Sequence, residues 1–302
     1  MDVQPQVFRG TPAILVESIW WDARTDELVW VDIAAGTLHR GPLDGAVDGS
    51  DDRVTELPPP LSAVQPRVGS GYIAALGDRI VTLDEDGLIA ETVARIDHAH
   101  AGMRSNEAKV DPFGRFLVGS MNTTTGDPDA ALYLLDDTGL RTLLGGFGVA
   151  NGFEWSDDGR TFYLTDTAVK TVYRAAYGED GRLGPLEAFL VDYDSDGLAL
   201  DTEGRFWNGV SGAGTVLRWG PDGAVEDRLT VPVPGVTSVA FGGPELSTLF
   251  VGTSRDGLSE DELERAPLSG AIFRFDGLAT GRPVNTYGRR SSSAAAPAGT
   301  PT

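Results

Sequence analysis

The sequence predicts an all-β fold, a six-bladed β-propeller, from three observations. A strand signal marked by glycine and aromatic residues recurs at intervals of 43 to 46 residues along the 302-residue chain. Most of the strand-like runs that follow it end in Asp-Gly or Gly, which supply the positive backbone angle of tight hairpin turns. Helical periodicity is nearly absent, so each repeat holds about four short strands, and such repeats form propeller blades.

Each repeat begins with a turn, clearest as Asp-x-x-Gly-Arg, that leads into an aromatic or aliphatic strand. The clear copies read DPFGRFLVG, SDDGRTFYLTD and DTEGRFWNG, and the weaker ones read DARTDELVWVD, GSGYIAALG and GGPELSTLFVGT. The six copies are anchored at Trp30, Ile73, Leu117, Tyr163, Trp207 and Phe250. Further strand-like runs, such as ALYLLDDTG, follow each copy and complete a four-stranded blade.

The two ends of the chain lie outside these repeats. The segment VFRGTPAILV precedes the first full repeat, and we expect it to supply a strand that completes the last blade and closes the ring. The run SEDELERA, from Ser259 to Ala266, is a candidate for one or two turns of helix. We assign residues 1–288 to a single propeller domain and the low-complexity residues 289–302 to a disordered tail.

Composition and charge exclude several classes of function. The net charge of −21 argues against nucleic-acid binding, because affinity for the phosphate backbone comes mainly from clustered Lys and Arg. It also favours a small neutral substrate over an anionic one. The absence of cysteine excludes disulfides and thiolate metal sites. No signal-peptide pattern and no apolar run of about 18 residues is present, so we expect a cytoplasmic monomer or weak oligomer without a membrane partner.

Polar residues recur at one phase of the repeat. Inner strands line the central channel of a propeller, so residues 11 to 13 positions before each anchor converge on one axis: Glu17, Ser62, Asn106, Asn151, Asp196 and Ser238. All carry oxygen donors, which suit Ca²⁺, Mg²⁺ or Mn²⁺, and Zn²⁺ remains open through the carboxylates. A polar, water-filled channel without a metal explains the same pattern, so spacing alone leaves both interpretations open.

Five strings occur in an order typical of one known family. They read VESIWWDARTDELVWVDI, GMRSNEAKVDPFGRFLVGSM, VANGFEWSDDGRTFYLTD, SDGLALDTEGRFWNG and FGGPELSTLFVGTSRDG. With these strings the chain resembles the senescence marker protein (SMP-30), gluconolactonase and regucalcin family over all but its two ends. The resemblance implies a six-bladed β-propeller with one divalent metal ion on the central axis, which hydrolyses sugar lactones.

The resemblance also implies roles for five residues. Glu17, Asn151 and Asp196 match the metal ligands, and Arg104 and Asn106 match the residues that contact the substrate. Opening a lactone requires an activated water and stabilisation of an oxyanion, which a metal ion supplies. Asp196 would also accept the water's proton as the catalytic base, while Arg104 and Asn106 bind the sugar hydroxyls or the carbonyl. The ion itself, Ca²⁺, Zn²⁺, Mg²⁺ or Mn²⁺, is not fixed by the sequence.

The chain departs from the family pattern at three places. Ser18 and Ile19 follow Glu17, where relatives usually have Gly and then Pro or Ala. Glu107 replaces an aspartate in the RSNE string. Thr123 stands where animal members carry a glutamate, so a contact with a substrate hydroxyl is altered and the identity of the sugar is open.

Two other motifs in the sequence resemble metal-binding sites. Residues 192–203 match the pattern of an EF-hand calcium loop, but an EF-hand needs flanking helices, and repeat-phase strands flank this string. His98 and His100 offer two imidazoles without a third ligand nearby, which favours a loop over a zinc site. Two other functions remain open, namely hydrolysis of another lactone, ester or organophosphate, and a non-catalytic calcium-binding propeller.

Overall fold

A computed structural model describes residues 3–288 and shows a six-bladed β-propeller, which confirms the predicted fold. Within that range 24 strands form six four-stranded sheets, and neighbouring strands of each sheet run antiparallel. The predicted tail, 289–302, lies outside the described residues. The domain boundaries 1–288 and 289–302 therefore stay a prediction.

The strands follow the repeat in chain order, and the first strand of each blade lies next to the axis. The N-terminal strand and the strands of blades 1 to 3 are β1 (Gln6–Arg9); β2 (Val16–Asp22), β3 (Glu27–Asp32), β4 (Thr37–Pro42), β5 (Arg53–Glu56); β6 (Leu61–Pro66), β7 (Tyr72–Leu76), β8 (Arg79–Leu83), β9 (Ile89–Arg95); β10 (Met103–Val110), β11 (Phe116–Asn122), β12 (Ala130–Asp136) and β13 (Gly139–Phe147). The strands of blades 4 to 6 are β14 (Ala150–Trp155), β15 (Thr161–Asp166), β16 (Thr171–Ala176), β17 (Glu187–Val191); β18 (Ser195–Leu200), β19 (Phe206–Val210), β20 (Thr215–Trp219), β21 (Val225–Thr230); β22 (Val236–Gly242), β23 (Thr248–Thr253) and β24 (Ile272–Asp276).

In two of the repeat turns one aspartate accepts the hydrogen bonds of the turn, and in the SDDGR copy Ser156 stands at that position. The Asp111 carboxylate accepts hydrogen bonds from the backbone N–H groups of Phe113 and Arg115, at 2.9 and 2.8 Å, and from Arg115 Nε at 2.6 Å. Asp201 holds the backbone and the Nε of Arg205 in the same way. The turn between the first and second strands of a blade is thus fixed by a buried ion pair as well as by its glycine.

Apolar cores lie between successive blades. Six clusters of buried side chains are present within residues 3–288, and each joins one blade to the next. Trp30 packs in the cluster between blades 6 and 1, and Trp207 packs between blades 5 and 6. Each blade therefore depends on its neighbours for burial of its faces.

The N-terminal strand closes the ring. β1 pairs antiparallel with β24, so the last blade consists of β22, β23, β24 and β1, as predicted. Arg9, at the end of β1, is 3% exposed and forms an ion pair of 2.7 Å with Asp52, which precedes the outer strand of blade 1. Its guanidinium also donates to the carbonyls of Phe8, Pro42 and Gly45. This cluster fastens blade 6 to blade 1.

The last described residues form a strap, defined here as residues 279–288, on the face away from the starts of the inner strands. Gly281 bridges to Asp201 in blade 5, and Arg282 Nη2 donates to the Trp155 carbonyl in blade 4 at 2.8 Å. Asn285 Nδ2 donates to the carbonyl of Val110 in blade 3 at 3.0 Å. Tyr287 forms a parallel bridge with Arg67 in blade 2. The strap therefore crosses the base of the channel.

A short helix lies in the loop between β23 and β24. Helix α1 (Glu260–Arg265) falls within the predicted run, and Ser259 and Glu262 form its capping box. No helix of the described chain, residues 3–288, has the length and apolarity needed to cross a membrane.

We expect Arg9→Met to lower the free energy of unfolding by about 3–5 kcal/mol, because it leaves the buried Asp52 carboxylate without its cation. Urea unfolding followed by tryptophan fluorescence measures the change. The matched control is Arg95→Met, whose arginine is 68% exposed and pairs with an exposed Asp78. It should change stability by less than about 1 kcal/mol. Equal unfolding midpoints for the two variants would show that the Arg9 cluster does not fasten the ring.

Candidate active site

Every inner strand carries a β-bulge at the level where the sequence placed a polar residue. The register of pairing with the second strand shifts at or beside Glu17, Ser62, Asn106, Asn151, Asp196 and Ser238. A bulge places two residues opposite one and re-aims a side chain out of the regular ladder. Because the inner strands contact one another around the ring, six bulges at one level build a single polar layer in the channel.

Two bulges need a left-handed backbone directly after a candidate ligand. Gly152, after Asn151, has a φ of 29°, and a Cβ there would lie 2.3 Å from the Asp196 carbonyl oxygen, so no larger residue fits. Ser18, after Glu17, has a φ of 51°, a region that favours glycine. The Ser18 hydroxyl accepts from the Val64 N–H at 3.1 Å and donates to the Val64 carbonyl at 3.2 Å. Hydrogen bonds to blade 2 thus hold serine where relatives usually have glycine.

The polar layer carries more negative than positive charge. Glu17, Glu107 and Asp196 are surrounded by protein yet keep accessible surface in the channel, and their charges act on one another. Arg104 is the cation that acts on both Glu17 and Asp196. Lys109 is the cation that acts on Glu107. Three carboxylates therefore face two cations, which leaves an excess of negative charge in the layer.

This excess raises the carboxyl pKa values. Burial, and then the charges of Asp196 and Glu107, raise the pKa of Glu17 well above its usual range, while Arg104 opposes the shift. Burial, and then Glu107, raise the pKa of Asp196 to about 8, while Asn151 and Arg104 oppose that shift. Burial also raises the pKa of Glu107, against the effect of Lys109. Without another cation, the carboxyl groups of the layer therefore bind protons more readily than carboxyl groups in water do.

The donor set fits a hard cation. Asp196 Oδ1 is buried without a hydrogen-bond partner, and the Asn151 carboxamide acts directly on the same carboxyl group. Glu17 supplies the second carboxylate. Clusters of three or more His, Cys, Asp or Glu side chains spaced to hold a metal are absent from residues 3–288. The predicted set instead combines two carboxylates with one carboxamide, and oxygen-only sets of this kind suit Ca²⁺, Mg²⁺ and Mn²⁺.

Arg104 and Asn106 lie together beside this layer. Arg104 Nη1 donates to Asn106 Oδ1 at 2.7 Å and to the Ser105 carbonyl at 2.9 Å. Asn106 Nδ2 donates to the Ala150 carbonyl in blade 4 at 3.1 Å. Nε and Nη2 of Arg104 form no hydrogen bond within the described chain, so these donors are free for a ligand. Burial lowers the pKa of Arg104, and the charges of Glu17 and Asp196 oppose that shift.

The two predicted serines occupy the layer without facing the candidate ligands. Ser62 Oγ donates to the Ser105 carbonyl at 2.6 Å, and Ser238 Oγ accepts from the Ile19 N–H at 3.4 Å. Both hydroxyls thereby join inner strands of neighbouring blades. They line the channel and strengthen it.

The loops before β10 and after β11 meet at the mouth of the channel. The Thr123 N–H and hydroxyl both donate to the Gly102 carbonyl, at 2.9 and 2.8 Å. His100 Nδ1 accepts from the Gly102 N–H at 3.1 Å, and its Nε2 lies 3.4 Å from Asp129 Oδ2. His98 and His100 are loop residues, as predicted. The EF-hand interpretation of residues 192–203 is wrong, because β18 and its flanking turns form that segment.

The repeat phase did not place Glu107 in the polar layer. In the structure it is a third carboxylate that acts on both Glu17 and Asp196. Alternation along a regular strand would put Glu107 and Asn106 on opposite faces. The bulge between Ser105 and Ala108 removes that alternation, and a sequence does not show which strands are bulged.

Comparisons with known proteins identify the family of the chain. Residues 15–255 match the family model described as SMP-30/Gluconolactonase/LRE-like region. The chain is 35% identical to the 6-deoxy-6-sulfogluconolactonase of Pseudomonas putida over 269 residues, which cover 87% of this chain and 91% of that protein. It is 34% identical to the pentonolactonase XacC of Haloferax volcanii over 284 residues, which cover 90% of this chain and 94% of that protein.

Solved structures show the same relationship. The chain is similar to regucalcin of Agrobacterium tumefaciens, described as a calcium-binding protein, with a TM-score of 0.88 and 27% identity. That match covers 94% of this chain and 97% of the regucalcin chain. The family model spans well over half of the sequence, and relatives above 30% identity cover most of it. The chain therefore belongs to the SMP-30/gluconolactonase/LRE-like family.

Proposed function

We propose that the protein is a metal-dependent hydrolase that opens sugar lactones, a carboxylic-ester hydrolase of the gluconolactonase type. The observation that carries this proposal is the excess of carboxylates over cations in the polar layer, together with the unpartnered Asp196 Oδ1. A divalent cation is the ligand that balances such a site. Two relatives named as lactonases, aligned over nearly their full lengths, support the class of reaction.

Glu17, Asn151 and Asp196 are the residues that we propose to hold the ion. Their oxygen donors favour Ca²⁺, Mg²⁺ or Mn²⁺, and carboxylates also accept Zn²⁺. When bound, such an ion polarises a lactone carbonyl and lowers the pKa of a water ligand. The left-handed residues Ser18 and Gly152 directly follow two of the three donors, at the points where the strand ladder is interrupted.

Asp196 is the proposed catalytic base. Burial makes its carboxylate more basic than it is in water, and a general base needs a pKa near the working pH. Oδ1, which has no protein hydrogen bond, is the atom that would take the proton from the attacking water. The close approach of Gly152 to the Asp196 carbonyl fixes the backbone that carries this carboxylate.

Arg104 is the proposed substrate-binding cation. Its free Nε and Nη2 groups can donate to the sugar hydroxyls or to the oxyanion that develops as the ring opens. Asn106 binds substrate beside it and also holds the guanidinium through the 2.7 Å hydrogen bond to Nη1. Since the Thr123 hydroxyl already donates to the Gly102 carbonyl, we propose that Arg104 and Asn106, rather than residue 123, select the sugar.

A second candidate function has one observation in its favour. The similar regucalcin structure is described as that of a calcium-binding protein. A calcium-binding propeller without catalysis would bind the ion at the same three residues and release no acid from any lactone. A pH-drop assay on a panel of aldonolactones, with and without chelator, separates the two functions. Absence of metal-dependent acid release from every lactone would remove the first.

We expect Glu17→Gln and Asp196→Asn each to lower kcat/KM for an aldonolactone by about 100-fold or more, because each removes a charged ligand. Elemental analysis of the dialysed protein should show loss of the bound ion in parallel. The matched control is Asp194→Asn. Asp194 lies two residues from Asp196, and its own carboxylate is 47% exposed and pairs with Lys170. Full turnover and full metal content in Asp196→Asn would overturn the assignment.

Metal binding should strengthen as the pH rises from about 5 to 8. The pKa of Asp196, about 8, is raised above its unfolded value, so the proton stabilises the metal-free fold at low pH. The stabilisation that this proton gives to the metal-free fold is fully present below about pH 4, and it is lost as the pH rises through about 8. We expect the Tm of metal-free protein to fall over this window and the increase in Tm on adding the ion to grow. A metal-induced shift that is constant with pH would contradict the raised pKa.

Arg104→Ala should lower kcat/KM about 10- to 100-fold while leaving the metal content unchanged, because it removes substrate donors and no metal ligand. Steady-state kinetics and elemental analysis together test this. Arg95→Ala, on an exposed strand far from the channel, serves as the control. If Arg104→Ala loses the ion instead, Arg104 supports the metal layer rather than the substrate.

A further inference from the structure

A second polar chamber lies near the base of the channel, beyond the candidate active site. Its volume is about 370 Å³, and its lining includes Gln65, Lys109, Glu154, Trp155 and Arg282. Small-molecule sites in proteins usually have volumes of about 300–1,000 Å³. Arg282 belongs to the strap and lines the chamber, and it donates a hydrogen bond to the Trp155 carbonyl of blade 4. The strap therefore covers this chamber.

Three of the lining residues follow the repeat that built the active site. Gln65, Lys109 and Glu154 each lie three positions beyond the bulge residue of their own inner strand, in blades 2, 3 and 4. A bulge adds one residue, so the side chain three positions later returns to the axial face. Because one of the three positions is the extra residue of the bulge, the second layer lies about two residues beyond the first, which is roughly 7 Å along the channel at about 3.3 Å per residue.

The chamber presents polar groups that protein atoms leave unsatisfied. Gln65 is 4% exposed, and its carboxamide forms no hydrogen bond within residues 3–288. The Glu154 carboxylate has Lys109 as its neighbour at 3.9 Å, which is beyond hydrogen-bond distance. Lys109 Nζ donates one hydrogen bond, to the Leu198 carbonyl at 2.9 Å. Lys109 and Glu154 are 25% and 20% exposed, so their free donors and acceptors can hydrogen-bond a polar occupant of the chamber.

The charges define the kind of occupant. Lys109 and Arg282 supply two cations to the lining, whereas Glu154 supplies one carboxylate that is 20% exposed. Asp157, 3.6 Å from Arg282, is 97% exposed, so solvent screens its charge. The remaining carboxamide and carboxylate oxygens are groups that hydrogen-bond hydroxyls. An anion that also carries several hydroxyl groups matches both features.

We propose that this chamber binds a small polyhydroxylated carboxylate, such as an open-chain sugar acid. The carboxylate lies against Arg282 and Lys109, and the hydroxyls contact Gln65 and Glu154. This is the chemical class that lactone hydrolysis releases. The chamber lies beyond the metal layer along the channel, and Lys109 and Glu154 also act on Glu107 of that layer. The proposal is therefore tested by binding and not by turnover, so it stands or fails independently of the lactonase assignment.

The test is calorimetric titration of metal-depleted protein with D-gluconate. We expect one ligand per chain, and Gln65→Leu should weaken binding about tenfold because it keeps the side-chain volume but loses the hydrogen bonds. Arg282→Ala should weaken it about tenfold or more through loss of the charged contact. Glu17→Ala, which alters the metal layer, and Arg95→Ala, at an exposed surface, should bind as the parent does. Circular dichroism and Tm confirm that each variant is folded.

Three outcomes would overturn the proposal. The first is no binding at the highest soluble gluconate concentration. The second is binding that Glu17→Ala abolishes and Gln65→Leu preserves, which would place the ligand in the metal layer. The third is binding of D-glucose without binding of D-gluconate, which would contradict the role of the two cations in holding a carboxylate.

Discussion

The chemistry of this propeller depends on a β-bulge at one level of every inner strand. A regular strand sends alternate side chains into the spaces between blades, where the six apolar cores lie. The bulge interrupts this alternation for one residue and brings polar groups into the channel without disturbing the cores on either side. Glu17 and Asn151 lie directly before such a bulge, and Asp196 lies within one. The blades can therefore be packed for stability while their inner strands carry a polar site.

Concentrating carboxylates in the channel opposes stability. Buried acids that outnumber the cations around them destabilise the fold unless they bind protons or a cation. The surrounding structure offsets this through interactions that do not involve the site, namely the apolar cores between blades and the Arg9 cluster that joins blade 6 to blade 1. The hydroxyls of Ser18 and Ser62 add hydrogen bonds between inner strands at the level of the charges. The rigid scaffold maintains an arrangement that its own charges disfavour.

Much of the fold was accessible from the sequence because its determinants are local. The Asp-x-x-Gly-Arg turns fix hairpins through contacts within five residues, and the period between them gave the number of blades. The phase of the repeat also located the polar layer. The left-handed Ser18, the third carboxylate Glu107 and the path of the strap depend on contacts between blades. Such contacts leave no periodic signal, so these features required the structure.

Closure of the ring by the N-terminal strand imposes an order on folding. β1 is synthesised first, but its partner β24 ends at residue 276, so the ribosome has to add more than 250 residues before the pair can form. At about 5–20 residues per second, β1 waits for roughly 13 to 50 seconds with its backbone groups unpaired. A strand of four residues exposes few such groups. The shortness of β1 thus limits its capacity to pair with another nascent chain during synthesis.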